Sequence, residues 1–199
     1  MELETKRLIL RKPVRSDWKD LVDGLNEKNI SEDINLLPYP YTKKDALKWI
    51  NTSNLEWRKK DQTAYTFVIE LKSEKKVIGA IAIHDINKQN KNGITGSWIN
   101  KRYRRKGYIT EAKIAINDFA FNRLKLIRLG STVYAHNKAS QNVQTNVGYV
   151  LEGVKRKSIV LRSGKIVDCN IYGLLKEDWK MARLNVIKDL NGKIKEREK

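Results

Sequence analysis

The chain has 199 residues, with 41 lysines and arginines against 23 aspartates and glutamates, which gives a formal net charge of +18. No apolar run approaches the roughly 20 residues that span a bilayer, and the acidic start of the chain lacks the apolar region of a signal peptide. One cysteine, Cys169, excludes an intramolecular disulfide, and two histidines leave no dedicated Cys/His zinc site, so we expect no metal. We therefore predict a cytoplasmic protein with no membrane partner, whose excess charge attracts polyanions such as nucleic acid or a phosphorylated cofactor.

The N-terminal part of the chain predicts one strand and two helices. Alternating apolar residues over 8–11 indicate an opening strand. Apolar residues at helical spacing begin near Ser16, and Thr42 is typical of the residue that caps a second helix. Two prolines mark residues 36–41 as the loop between these helices.

The rest of the chain alternates strands with helices. The predicted elements are strands over 65–71, 76–83 and 93–100, a helix over 107–123, a strand over 127–135, a short helix after Asn137, and strands over 149–161 and 166–175. The pattern weakens after Trp179, and the Asn191 and Gly192 pair is expected to break a terminal helix. We therefore predict one domain over residues 1–180 and a basic extension over 181–199 that is partly helical or mobile.

The strongest local feature is a basic segment that leads into a helix. Residues 101–106 hold five cations and one tyrosine, directly before Gly107 and the helical pattern. The first backbone N–H groups of a helix have no partner within it, and the helix dipole favours an anion there. A glycine also allows the backbone to approach a ligand closely. Taken alone, this junction fits a phosphate site and a helix start beside a solvated basic loop about equally well.

The segment RRKGYITEA at residues 104–112 resembles the acetyl-CoA motif, Arg/Gln-x-x-Gly-x-Gly/Ala, of the GCN5-related N-acetyltransferases. Further segments resemble the RimJ/RimL-type branch of that family, which acetylates protein N-termini, ribosomal proteins among them. These segments are residues 4–11, 77–79 with 85–86, 137–140, 148–153, 172–175 and 177–179. The resemblance covers roughly residues 2–179, and it is specific because all the motifs agree with the predicted order of strands.

This resemblance implies a fold and a cofactor. The expected fold class is α+β, the GNAT fold: a mixed, mostly antiparallel sheet of about seven strands, splayed between its fourth and fifth strands and flanked by about four helices. The expected cofactor is acetyl-CoA, with its pantetheine arm in the gap. By their match to the motifs, the cofactor-binding residues are Arg102, Arg104, Arg105, Lys106, Gly107, Tyr108, Ile109, Thr110, Asn137 and Ser140. Three aromatic residues are candidates for lining the acceptor groove, although aromatic residues are more often packed in such positions: Tyr39, Tyr41 and Trp98.

The chain departs from the family pattern at several positions. Arg105 stands where this branch usually has glycine, and Ile109 stands where the general motif prefers glycine or alanine. Gln144 stands where many relatives have a tyrosine, so Ser140 is the candidate for hydrogen bonding to the sulfur. The glutamate often found early in the fourth strand also has no equivalent. The remaining candidates for the general base are His84 with its neighbour Asp85, Glu111, Glu152 or an ordered water, and for Glu152 a structural role is favoured.

The resemblance implies transfer of an acetyl group to a primary amine by direct attack in a ternary complex. The expected acceptor is the N-terminal α-amine of a protein or peptide, of the ribosomal-protein type and with contact to the ribosome. One alternative is a small amine such as a polyamine or an antibiotic, although a surface with a charge of +18 opposes the approach of a polyamine. Another alternative is a non-catalytic module on the same fold that binds RNA or the ribosome, although no recognised RNA-binding motif is present. Both a monomer and a homodimer fit the sequence.

Overall fold

In the computed structural model, which describes residues 1–27, 30, 34 and 37–197, the chain forms one mixed sheet with helices on both faces. The strands within these residues are β1 (Glu2–Glu4), β2 (Leu8–Arg11), β3 (Tyr65–Leu71), β4 (Lys76–Asn87), β5 (Asn92–Ile99), β6 (Arg128–Tyr134), β7 (Val150–Val160) and β8 (Ile166–Leu175). The α-helices are α1 (Trp18–Leu25), α2 (Lys43–Arg58), α3 (Tyr108–Asp118), α4 (Lys138–Asn146) and α5 (Lys176–Arg197). Shorter helical turns are Arg15–Asp17, Lys101–Tyr103 and the π-helical turn Phe119–Arg123.

The strands lie in the order β1-β2-β3-β4-β5-β6-β8-β7, and each neighbouring pair is antiparallel except β5 and β6, which are parallel. These two strands are paired only over residues 92–94 of β5 and 128–130 of β6. Beyond that point β5 continues to Ile99 and β6 continues to Tyr134, both within the described residues, without further pairing to each other. The predicted splay between the fourth and fifth strands is therefore confirmed, because β5 and β6 are the strands predicted over 93–100 and 127–135.

The alternation of side chains along β3 supplies two apolar cores, one on each face of the sheet. Val68 packs with Leu21 of α1 and Ile50 of α2. Its neighbour Phe67 points to the opposite face and packs with Ile116 of α3. The helices on both faces therefore bury the sheet, and α3 covers the face that carries Phe67.

The sheet contains one strand more than the sequence predicts. β1 adds a short edge strand that pairs with β2, with Leu3 opposite Leu10. The turn between these strands is closed by Thr5, whose N–H donates to the carbonyl oxygen of Leu8 at 3.0 Å. The fold class α+β and the GNAT architecture are confirmed, with eight strands and five α-helices in the described part of the chain.

The predicted break in the terminal helix is wrong, because α5 continues through Asn191 and Gly192. Val186, Leu190 and Ile194 recur at intervals of four residues and are buried on one face of the helix, so tertiary packing outweighs the low helix propensity of glycine. Leu36, at the start of the predicted loop, and residues 198–199, at the end of the predicted extension, lie outside the described residues. In the part of the chain that the structure describes, no helix has both the length and the apolar character that crossing a membrane requires.

Candidate active site

The basic loop leads from β5 into α3 beside the gap in the sheet. Asn100 fixes the exit of β5, because its side-chain oxygen accepts from the N–H of Arg102 at 3.1 Å and its amide donates to Asp23 at 3.1 Å. The first hydrogen bond of α3 joins the N–H of Glu111 to the carbonyl oxygen of Gly107 at 3.0 Å. The N–H groups of residues 108–110 precede that bond and have no acceptor within the helix, so this helix end can bind an anion.

Two residues of this loop adopt the left-handed conformation. Gly107 has φ 81°, and a Cβ at this position would lie 2.8 Å from Cδ1 of Leu190 in α5. The absent side chain therefore points into the protein, whereas the sequence suggested that it leaves room for a ligand. Arg105 has φ 61°, a conformation that glycine adopts without strain, so the glycine that the resemblance leads us to expect there has a conformational reason.

Arg7, which the sequence did not single out, lies beneath this helix end. Its Nε donates to Glu111 Oε2 at 2.7 Å, its Nη1 donates to the carbonyl oxygen of Lys106 at 3.0 Å, and its guanidinium lies 4.4 Å from the centre of the Tyr108 ring. Its Nη2 is buried and has no hydrogen-bond partner among the described residues. Arg7 belongs to residues 4–11, which resemble the opening strand of the family. Nothing in the pattern of that segment indicates that the Arg7 side chain contacts the basic loop.

The predicted cations lie together on the surface around the N-terminus of α3. Arg102 pairs with Asp23 at 3.4 Å, and Nε of Arg104 donates to the carbonyl oxygen of Ile99 at 3.3 Å. Lys106 lies 5.5 Å from the centre of the Tyr103 ring. All of these cations, and Arg105, are exposed. They stay hydrated in the folded protein and can attract a polyanion from solvent.

On the other side of the gap, Asn137 and Ser140 form the start of α4. The side-chain oxygen of Asn137 accepts from the N–H of Ser140 at 3.0 Å, so the helix cap uses this oxygen and only the amide nitrogen can donate to a ligand. Ser140 is half-buried in the first turn of α4. These two residues therefore lie at the start of the helix that follows β6, the arm of the gap opposite β5.

His84 lies on β4 beside the point where β5 leaves β6. It pairs with Ile94, the last β5 residue that is paired with β6. Its Nε2 faces Gly96, where a Cβ would lie 3.6 Å away, and its Nδ1 lies 3.0 Å from Oδ2 of Asp85. A bulge after His84, with Asp85 at φ 51°, turns this pair out of the sheet. The imidazole is 44% exposed and has the geometry of a base that a carboxylate orients.

The two glutamates are held in ion pairs. Glu111 Oε1 accepts from the hydroxyl of Thr5 at 2.7 Å and from the N–H of Arg7 at 2.8 Å, so this carboxylate joins the β1–β2 turn to α3. Glu152 accepts from both terminal nitrogens of Arg128 over Gly173, where a side chain would collide with it. The Arg128 hydrogen bonds lower the pKa of Glu152. Glu152 lies near the closed end of the parallel pair, away from the gap.

The three aromatic candidates have different surroundings. Tyr41 is buried in the α1–α2 core, and burial raises its pKa to about 12. Trp98 is half-buried on β5 and packs against Gly24 of α1. Tyr39 is exposed, in the segment where Nη1 of Arg162 donates to the carbonyl oxygen of Leu37 at 3.4 Å. Only Tyr39 therefore has a freely accessible ring.

Residues 7–150 match the family described as the acetyltransferase (GNAT) domain. The uncharacterized N-acetyltransferase YnaD of Bacillus subtilis is 28% identical over 180 residues, which cover 90% of this chain and 99% of YnaD. A structure from Vibrio cholerae, provisionally described as a ribosomal-protein-serine acetyltransferase, is 26% identical with a TM-score of 0.72 and covers 88% of this chain and 97% of that chain.

The fold is also similar to that of RimL, a ribosomal L7/L12 alpha-N-protein acetyltransferase solved in complex with coenzyme A. The TM-score is 0.79 at 20% identity, over 88% of this chain and 98% of RimL. At this identity the likeness shows the shared fold alone.

Proposed function

This chain belongs to the acetyltransferase (GNAT) domain family, and on that premise we propose that it acetylates the N-terminal α-amine of a protein or peptide of the ribosomal-protein type. The family membership makes it an acetyl-CoA-dependent N-acetyltransferase, and what we propose is the identity of the amine that accepts the acetyl group. The observation that supports this class of acceptor is the similarity to the Vibrio cholerae protein, which is described as a ribosomal-protein-serine acetyltransferase. A cytoplasmic location and contact with the ribosome follow from this acceptor.

The residues around the gap fit acetyl-CoA, which supplies an acyl thioester and several phosphate charges. The free N–H groups at the start of α3 and the exposed cations before it suit the pyrophosphate. The buried Nη2 of Arg7, which has no partner within the described chain, lies 3.4 Å from where a Cβ of Gly107 would be, directly under the same loop. Asn137 and Ser140 begin the helix after β6, on the opposite arm of the gap, and Ser140 is the proposed hydrogen-bond donor to the sulfur.

His84 is the proposed general base, because it is the candidate with an available ring nitrogen beside the gap. Asp85 engages Nδ1, so Nε2 is the atom that can accept a proton from the incoming ammonium group. Glu111 and Glu152 are engaged by arginines, and their contacts suit a structural role. The partial exposure of His84 lets the accepted proton leave to solvent.

The charge around the acceptor side favours a peptide over a polyamine. The hairpin of β7 and β8 carries five cations and no acidic residue between positions 153 and 165: Lys155, Arg156, Lys157, Arg162 and Lys165. Arg162 connects this hairpin to the segment of Leu37. A peptide with carboxylates after its first residue is attracted to this surface, whereas a polyamine is repelled.

Release of free thiol from acetyl-CoA, measured with a panel of amines, tests the proposal. The panel comprises peptides with serine, alanine or methionine first and with acidic or basic residues following, together with spermidine and an aminoglycoside. We expect the highest kcat/KM for peptides with acidic residues, and no reaction with the same peptides after N-terminal blocking. Faster reaction with spermidine or the aminoglycoside, or equal reaction with blocked peptides that retain a lysine, would overturn the proposed acceptor.

A further inference from the structure

A buried polar cluster lies where β5 and β6 separate. Thr95 and Ser131 are the first residues beyond the last paired positions of these strands. The hydroxyl of Thr95 donates to the carbonyl oxygen of Gly130 at 3.3 Å, and the hydroxyl of Ser131 donates to the carbonyl oxygen of Thr95 at 3.3 Å. Side chains therefore continue the connection between the strands at the point where backbone pairing ends.

Lys113 of α3 lies against this cluster and is fully buried. Its Nζ donates to Oε1 of Gln144 at 3.0 Å and to the hydroxyl of Thr95 at 3.4 Å, and it lies 5.0 Å from the centre of the Tyr149 ring. Gln144 donates in turn to the hydroxyl of Ser131 at 3.0 Å. One lysine therefore links both arms of the gap with the two helices that carry the cofactor-binding residues.

Among the residues that the structure describes, no negative charge faces this amine. The surrounding polar side chains are Thr95 from β5, Ser131 from β6, Gln144 from α4, Tyr149 from the segment after α4, and Asn117 from α3 itself. Burial raises the pKa of Tyr149, so its phenol stays neutral, and no ion pair among the described residues includes Lys113. Because no carboxylate offsets the loss of hydration, burial lowers the pKa of Lys113 to about 7.

Burial of the Lys113 amine in the core is energetically unfavourable. An aliphatic side chain of similar length would lose no hydration and would leave no polar atom to satisfy. Asn117, one turn further along α3, is also fully buried, and its amide nitrogen has no partner within the described residues. Such violations of the usual composition of a core occur at functional sites, and this one lies at the point where the gap begins.

We propose that Lys113 is a positioning residue for the thioester end of acetyl-CoA, where its amine holds Thr95 and Gln144 at the separation that sets the width of the gap. A pantetheine arm in the gap further excludes water from the cluster, so the bound state favours the uncharged amine. Protonation of Lys113 therefore opposes binding of acetyl-CoA. This inference extends beyond the proposed function, because it concerns binding of acetyl-CoA in the absence of any acceptor.

Calorimetric titration of the intact protein with acetyl-CoA at pH 8 compares Lys113→Met with Asn117→Leu, a matched replacement of a buried polar group on the same helix. For Lys113→Met we expect about a tenfold rise in Kd, since the link across the gap is lost, together with a higher Tm, since a buried amine is removed. For Asn117→Leu we expect a Kd within about twofold of the wild type, because Asn117 does not bridge the strands. Gln144→Met breaks the same link from α4 and should also raise Kd.

The pH dependence separates a positioning role from packing alone. Unfolded chains keep the lysine protonated up to its ordinary value of 10.5, whereas the folded protein releases this proton near pH 7. The unfolded state therefore binds more protons between these values, so the stability of the wild type relative to Lys113→Met should rise with pH in this window. Acetyl-CoA affinity of the wild type relative to Lys113→Met should fall below pH 7, by at most about tenfold per pH unit.

Three results would overturn the proposal. One is an unchanged Kd in a folded Lys113→Met variant. The second is equal weakening by Lys113→Met and Asn117→Leu, which indicates a general packing effect. The third is a wild-type affinity that follows the same pH profile as that of Lys113→Met. A wild-type protein that binds acetyl-CoA normally but acetylates none of the peptides would instead count against the proposed acceptor. The binding data would still support the role of Lys113.

Discussion

The two ends of the gap hold their cations in opposite ways. At the start of α3, the cations of residues 101–106 are exposed, so their proposed attraction of a ligand acts through solvent. At the vertex between β5 and β6, Lys113 is buried among uncharged groups, and its proposed role depends on the geometry of its hydrogen bonds. We therefore propose that the same type of side chain serves for charge attraction at one end and for positioning at the other.

This difference gives the two ends different sensitivities. Attraction between exposed charges is screened by salt within about 10 Å at 0.1 M ionic strength, whereas buried hydrogen bonds are insensitive to salt and respond to protonation. Both ends are therefore expected to contribute to the affinity for the cofactor, the phosphate end in a salt-dependent way and the thioester end, through Lys113, in a pH-dependent way. The thioester end, where His84 also lies, is expected to govern the rate of transfer and its pH dependence.

The largest effect is expected at His84, which distinguishes the roles of the two ends. His84→Asn should lower kcat about 100-fold, because deprotonation of the attacking amine then depends on water. The Kd for acetyl-CoA should stay unchanged, since His84 lies away from the basic loop. Thiol release at saturating acetyl-CoA measures kcat, and calorimetry measures Kd.

His136→Asn is the matched control for this variant, because His136 is exposed and lies on the opposite arm of the gap. It should retain kcat within about twofold. A His84→Asn variant with more than half of the wild-type kcat would reject the assignment of His84 and favour an ordered water.

The next effect tests the phosphate end. Thr110→Asp places a carboxylate in the first turn of α3, where the helix dipole stabilises it by about 0.3–1 kcal/mol. The same charge repels the pyrophosphate, and we expect the Kd for acetyl-CoA to rise about 100-fold, or ~2.8 kcal/mol. If Thr110→Asp is more stable than the wild type and yet binds acetyl-CoA more weakly, the weaker binding does not result from unfolding.

Thr110→Asn has nearly the same shape and no charge, so its Kd should stay within about threefold of the wild type. Equal loss of affinity in the two variants would indicate that steric crowding, rather than repulsion, is responsible. Gly107→Asp is less informative, because a side chain at 107 meets Leu190 and a strained backbone before it meets any ligand.

A smaller effect is expected beneath the basic loop, at the ion pair of Arg7 and Glu111. Arg7→Met should lower stability by about 2 kcal/mol, since it leaves the buried Glu111 carboxylate without its main partner and the Arg7 side chain is itself 20% exposed. Removal of both charges in Arg7→Met/Glu111→Gln should restore most of the stability, because glutamine keeps an oxygen acceptor for the Thr5 hydroxyl and the Arg7 backbone N–H. Urea unfolding measures both, and an additive double variant would show that the two residues do not interact.

The sequence predicted the fold and the place of the basic loop before α3 because their signals are local. The strand periodicity, the turn residues and the basic segment before Gly107 each depend on neighbouring residues, and all agree with the observed order of elements. The terminal helix was predicted wrongly beyond Asn191, because burial of Leu190 and Ile194 depends on contact with a distant helix. Long-range packing of this kind leaves no local pattern.

The site residues that the sequence missed share the same property. Arg7 contacts a loop 99 residues away, and Lys113 contacts Gln144 across 31 residues. A lysine within a helical apolar face is itself a signal, because its neighbours Ala112 and Ile116 are predicted to be buried. That signal indicates an unusual position, but its location at the vertex of the gap emerges only when β5, β6 and α4 are placed together.

The smallest effect is expected at Arg105, where conformation and charge act in opposite directions. The left-handed φ of 61° costs an arginine about 1 kcal/mol relative to glycine. Arg105→Gly should therefore keep or raise the stability, while loss of one exposed cation raises the Kd for acetyl-CoA no more than about threefold. Arg105→Ala loses the same cation but keeps the strained conformation, so it should match the Kd of Arg105→Gly with lower stability. If Arg105→Ala is as stable as Arg105→Gly, backbone strain does not explain the preference for glycine, and close approach of the loop to the phosphates becomes the better explanation.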